Sequence, residues 1–291
     1  MFGFIKEHRR IFPVEMMCRV FRVSNSGFYY WLKYPKGKRQ VESTLLLEEI
    51  SKIHQESKKI YGSPRIAAKL AEKGIQASRA RVARVMRKAG IQSVIRKKWV
   101  KTTDSDHVHP VAENVLNRDF SATRPGEKWV SDLTYIRTGS GWVYLTTVID
   151  LADRKVIGWS LSDNMEAKNT TVRAFQMAKA NRRIEDTLLF HSDQGVQYAC
   201  SEFRKQLMGL PIIQSMSRKG NCWDNAVAES FFKTMKTEMV YRRTFKNKNQ
   251  AYLAIFEYIE VWYNRKRIHS SLGYLTPLEV EKTIMNKKRA A

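Results

Sequence analysis

Cysteine is scarce: Cys18, Cys200 and Cys222 are the only three in 291 residues, too few and too scattered for a disulfide framework. No Cys-x-x-Cys pair occurs, which argues against a zinc ribbon, and His107 and His109, with no cysteine pair nearby, read as loop residues. No run of 18 apolar residues exists and the first residues lack an apolar leader stretch, so a cytosolic, non-membrane protein is expected. Sustained leucine heptads are missing, as is a long basic helix with a clean apolar face that would bind a membrane surface. Acidic residues are in short supply as well, 28 against 52 Lys+Arg, for a formal net charge of +24.

Such a surplus points to a polyanion, because basic side chains that neutralise phosphates release counterions and so bind nucleic acid without regard to sequence. Residues 1–125 carry a surplus of 15 and the remainder a surplus of 9, so the N-terminal part is the more basic per residue. The hydrophobic content of 43% is ample for a core, and the length allows about two domains.

Along the chain, V-E-M-M-C-R-V-F and F-Y-Y-W-L read as two short helices around an S-N-S-G turn, a short helical segment over 1–38. Y-P-K-G-K-R-Q follows as a basic linker, and a helix is predicted from Thr44. Pro64 opens another helix closed by Gly74, and Ser78 caps a third closed by Gly90. The third presents Arg79, Arg81, Arg84, Arg87 and Lys88 outward over an apolar face of Val82, Val85 and Met86. Residues 40–95 therefore match a helix-turn-helix-like DNA-binding layout. Residues 96–126, opening with Arg96, Lys97 and Lys98, read as a basic linker lying along DNA.

Beyond residue 127 the order is three strands, helix, strand, helix, strand, long helix, an α/β fold with a mixed sheet. This core, 127–240, holds three acids: Asp132 in a period-2 strand, Asp193 ending a short apolar strand, and Glu229 on a helix. Carboxylates from neighbouring strands and a crossing helix suit two divalent ions that activate an attacking oxygen and stabilise a leaving one at phosphorus. Taken singly, each acid reads as well as a turn, cap or solvated residue. Asp150 and Asp153 suit a turn, Asp163 and Asp186 suit caps, and Asp224 suits a helix dipole. S-R-K-G-N-C-W-D-N, with Arg218, Lys219 and Gly220, reads as a mobile loop that closes on DNA. Asn225, Glu229, Lys233 and Lys236 fall on one helix face, an acid between an amide and two cations. Residues 241–291 form a C-terminal helical extension in which Arg265, Lys266, Arg267 and His269 are further phosphate-contact candidates.

W-V-S-D-L-T-Y-I, H-S-D-Q-G-V-Q-Y, S-R-K-G-N-C-W-D-N-A-V-A-E-S-F-F-K-T-M-K and Y-N-R-K-R-I-H-S-S-L-G-Y-L-T-P, with I-Y-G-S-P-R-I upstream, occur in fixed order. Together they resemble second-frame transposases of the IS-three group of insertion sequences, relatives of retroviral integrases. The resemblance covers nearly the whole chain from about residue 40. It implies a ribonuclease-H-like fold and a metal-dependent Asp-Asp-Glu triad at Asp132, Asp193 and Glu229. Two Mg²⁺ ions are implied as well, with Mn²⁺ able to substitute. It further implies nicking at the element's terminal inverted repeats, joining of the 3′-hydroxyl to target DNA, and a basic contact to terminal DNA at Lys236. An upstream-frame product or fusion and a homo-oligomer on DNA are also implied. The zinc module that precedes the retroviral core has no counterpart here. Two alternatives stand beside this reading: a ribonuclease-H-like nuclease or resolvase that cuts without joining, and a DNA-binding regulator without catalysis.

Overall fold

The structure, a computed structural model, describes residues 1–34, 38–94 and 110–290. The chain divides into two compact units, Met1–Ser93 and Val94–Ala291.

The first unit is helical. α1 (Phe2–His8), α2 (Val14–Val20) and α3 (Asn25–Lys33) pack around Ile5, Met17, Cys18 and Phe28. Three helices stand where two were expected. S-N-S-G is not a turn: the Ser24 hydroxyl accepts from the Gly27 amide at 3.0 Å and caps α3. α4 (Lys38–Glu56) starts six residues before Thr44, with Leu46, Ile50 and Ile53 buried. It packs against α5 (Ser63–Glu72) and α6 (Arg79–Lys88), burying Ile66, Leu70, Val82 and Met86. Pro64 lies in the first turn of α5, and the Ser78 hydroxyl accepts from the Arg81 amide at 3.2 Å to cap α6. Both helices run into glycines with positive φ, Gly74 at 77° and Gly90 at 68°, where any side chain would be strained.

The second unit holds a five-stranded sheet in the order β3-β2-β1-β4-β5. β1 (Lys128–Thr138), β2 (Gly141–Asp150) and β3 (Val156–Ser162) form an antiparallel meander. β4 (Leu188–Ser192) and β5 (Ile212–Met216) extend it in parallel, β4 beside β1. The expected single helix over 167–180 is broken: a 3-10 turn, Ala167–Asn169, ends at Thr170 before α7 (Thr171–Asn181). α7 crosses β3 so closely that a Cβ on Gly158 would sit 2.2 Å from the Ala174 carbonyl oxygen. Trp129, Phe175, Phe190, Tyr198 and Phe203 fill the core between sheet and helices, which include α8 (Val196–Ala199) and α9 (Ser201–Leu207).

α10 (Ala226–Glu238) crosses β1, and α11 (Lys248–Phe256) continues into a π-helical stretch, Glu257–Tyr263. Residues after 240 are built into this unit. Asn264 exchanges two hydrogen bonds with the Val156 backbone, and Glu281 of α12 (Pro277–Ala290) pairs with the buried Arg182, which also holds Asp150 and Asp153. Asp150 and Asp153 thus belong to a buried ionic network, more than a turn. Residues 113–127 are likewise no free linker: the Val115 and Leu116 amides both donate to the Ser215 hydroxyl on β5, and Leu116 is buried. No helix among the described residues is long and apolar enough to cross a membrane.

Candidate active site

β1 and β4 run side by side with Val130 paired to His191. Asp132 lies two residues beyond Val130, and Asp193 two residues beyond His191, directly after β4. Asp132 accepts from the Leu133 amide at 2.8 Å, and Asp193 from the Gly195 amide at 3.0 Å. A Cβ on Gly195 would stand 2.9 Å from Asp193 Oδ1, so a larger residue there would push on the carboxylate.

Enclosure by protein raises Asp132 well above the usual carboxylate range. The charge of Asp193 adds to this, then that of Glu229, and Lys236 opposes it. Asp193 and Glu229 thus both repel charge on Asp132, which keeps partial exposure. Below them Tyr198 is buried with its hydroxyl 2.7 Å from Ser131 Oγ, which itself donates to the Thr147 carbonyl at 2.9 Å. Burial, and then the neighbouring aspartates, push that phenol well up, so it stays a neutral donor.

His191 braces β4 from the other side. Ser215 accepts from two backbone amides, so its single proton goes to His191 Nδ1 at 2.9 Å. His191 Nε2 therefore carries the ring proton and donates to Ser217 Oγ at 3.1 Å. Burial lowers this imidazole to about 4, and it is neutral at pH 7.

α10 brings Glu229, and what precedes α10 is firmly held. Asp224 is fully buried and accepts from Arg218, Arg118 and Asn114, the first two as ion pairs at 2.8 Å. Those hydrogen bonds hold its carboxyl far below the usual range. Asn225, 3% exposed, donates to the Ser131 carbonyl at 2.9 Å, one residue from Asp132. Its Oδ1 has no partner among the described residues.

Several expected DNA contacts are corrected here. Arg218 pairs with Asp224 yet stays exposed, Asn225 is interior, and the loop between them is clamped at its base. Lys236 is buried with its ammonium 5.2 Å from the centre of the Tyr135 ring. Burial lowers it to about 8 although Asp132 pulls the other way. The single helix face expected for Asn225, Glu229, Lys233 and Lys236 is therefore split, with Glu229 and Lys233 exposed and the other two inside. Arg267 is buried in a bidentate pair with Glu238, which also accepts from Tyr258. Lys219, Arg265 and Lys266 are exposed, as are Arg79, Arg81, Arg84, Arg87 and Lys88 on α6; Arg81 reaches Glu42 at 3.8 Å. Arg96, Lys97 and Lys98 lie outside the described residues.

Asp224, Tyr198, His191 and Arg118 were missed as site-building residues. The adjacent Asp224–Asn225 pair ahead of an apolar helix was a usable signal; Arg118, in a polar irregular stretch, gave none.

Among the described residues, no group of three His, Cys, Asp or Glu side chains is gathered tightly enough to hold a metal ion. The donor type nevertheless fits a hard divalent cation: three carboxylates, no sulfur, and a charge conflict at Asp132 that a cation would offset.

Family profiles described as integrase core domains match residues 122–222 and 229–284, and one described as an HTH-like domain matches 41–99. Transposase InsF for insertion sequence IS3A of Escherichia coli (strain K12) is 37% identical over 284 residues, 96% of this chain and 97% of its own. The chain belongs to the IS3 family of transposases. Another relative of this IS3-family transposase, the insertion element IS600 uncharacterized 31 kDa protein of Shigella sonnei, is 39% identical over 261 residues, 90% of this chain and 96% of its own. Solved structures similar to it include a simian T-cell lymphotropic virus intasome in complex with PP2A regulatory subunit B56 gamma. That match has a TM-score of 0.47 and 15% identity over 80% of this chain and 74% of that one. The HTLV-2 integrase catalytic core domain in complex with magnesium gives 0.43 and 14% over 55% and 99%. The integrase-core and HTH-like profiles make the fold an integrase-type α/β core with a helical N-terminal region.

Proposed function

We propose that Asp132, Asp193 and Glu229 are the acidic triad of this transposase. In this reading they hold two divalent cations, Mg²⁺ with Mn²⁺ able to substitute, while DNA is nicked at the element's ends and the freed 3′-hydroxyl is joined to target DNA. Its main support is that Asp132 lies on β1 and Asp193 directly after the neighbouring β4, together with the upward push that Asp193 and Glu229 exert on Asp132. Bound cations would withdraw charge from the phosphate oxygens and make a water or 3′-hydroxyl oxygen easier to deprotonate.

The chain's own residues supply positioning. The Leu133 and Gly195 amides each fix one oxygen of an aspartate. Asn225 holds the start of α10, and so Glu229, against the strand that carries Asp132. Lys236 offsets part of the triad's charge from inside rather than touching DNA. Lys219 and Lys233 on the surface, with the basic side of α6 in the 40–95 domain, take phosphate contacts. Element ends must be paired and joined, which calls for more than one protomer. The upstream-frame product or a fusion with it would complete end recognition in the bacterial cytoplasm. The test is a labelled duplex carrying the element's end, incubated with Mg²⁺. Nicking followed by joining is the expected result; cutting without joining would shift the reading to a nuclease.

A further inference from the structure

Trp223 stands out just ahead of α10, the helix that carries Glu229. It is 69% exposed, the most exposed tryptophan among the described residues, on the short 3-10 turn Cys222–Asn225 that leads into α10. The next most exposed, Trp142, at least lies edge-on to Tyr135 and near the Arg137 guanidinium. Keeping an indole in water is unfavourable, and here a rigid base holds it out. Asp224, the next residue, is locked by Arg118, Arg218 and Asn114, and Asn225 is locked to the Ser131 carbonyl. The Trp223 backbone is therefore held two residues from a side chain bonded to the neighbour of Asp132, and six residues ahead of Glu229.

Given the triad proposed above, we infer that Trp223 is a stacking platform for a nucleobase drawn out of the duplex beside the cut phosphodiester. The charge around it selects this occupant. Arg218, Arg118 and Lys219 each keep exposed surface next to the turn, the two arginines also pairing with the buried Asp224, in a chain of net charge +24. A flat apolar face rimmed by cations matches a base flanked by phosphates, since every base offers a π-face and every phosphate a negative charge.

Binding without chemistry tests this. Full-length protein in EDTA would be titrated with two duplexes of its own element end. In one, a mismatched base lies at the pair bracketing the cut; in the other, that nucleotide is abasic. Wild type is expected to prefer the unpaired base about tenfold, the order of one base–aromatic stack. Trp223→Ala should abolish the preference and Trp223→Phe should keep most of it, with circular dichroism confirming that both variants fold. Equal affinity of wild type for the two duplexes, or an undiminished preference in Trp223→Ala, overturns the inference. Nicking in Mg²⁺ is read separately: a wild type that discriminates the duplexes but never nicks would leave the stack standing and overturn the catalytic reading.

Discussion

The side chain of Asn225 donates to the backbone carbonyl of Ser131 at 2.9 Å, tying the residue before α10 to the residue before Asp132. Asn225→Ala removes this bond from a buried site, leaving the carbonyl without that donor. A stability loss of about 1–2 kcal/mol is expected. Misplacement of Glu229 should lower nicking by about tenfold or more beyond what lost folding explains, because small shifts of a positioned group are costly. Thermal unfolding and single-turnover nicking on the same preparation check both. A variant as active as wild type at a temperature where both are folded would show that the tie carries no positioning role.

Arg267 and Arg84 should separate cleanly. Arg267 is buried against Glu238, so Arg267→Ala strands a buried carboxylate and should cost about 3–5 kcal/mol of stability. Arg84 is exposed on α6; Arg84→Ala should leave stability within about 0.5 kcal/mol. It should also reduce the salt dependence of DNA binding by about one unit of slope. Chemical denaturation and binding titrations over a salt series give the comparison.

These two arginines also mark what the sequence reveals and what it hides. Strand alternation around Asp132, the Ser78 cap and the Pro64 start are local signals, and the elements form where those signals lie. The three acids proposed as the triad each sit in a distinctive local stretch, and the motifs that carry them occur in order. Burial of a basic residue is a tertiary event. Nothing near Arg267 or Lys236 announces that Glu238 or Tyr135 will come to meet it, so both read as surface cations. The same holds for Asp224, whose partners Asn114 and Arg118 lie more than a hundred residues earlier. The missed helix α1 is seven residues long and offers no side-chain cap to announce it.

His191 gives the pH dependence a sign. Its folded-state value is lowered to about 4 from an ordinary value near 6.5, so the unfolded chain takes up the proton first as pH falls. Its contribution to stability is intact above about 6.5 and is lost progressively toward 4. Denaturant midpoints from pH 7.5 to 4.5 should fall more steeply for wild type than for His191→Gln. Parallel curves would mean that the imidazole is not held neutral.

Cation binding should appear as stabilisation before any chemistry. Ligand that binds only the folded state raises stability with concentration, by about 2.7 kcal/mol at a hundred times its dissociation constant. Mg²⁺ or Mn²⁺ should raise the melting temperature of wild type. The rise should shrink in Asp132→Asn and Glu229→Gln, while Asp163→Asn, altering an exposed carboxylate paired with Lys248, should keep it.

The most direct test is strand chemistry on a labelled element end with Mg²⁺, wild type against Glu229→Gln. The account predicts a nick at the element's end and a joined product with wild type, and neither with the variant although it binds the same DNA. Nicking and joining undiminished in Glu229→Gln would contradict the assignment of Asp132, Asp193 and Glu229 as the catalytic triad.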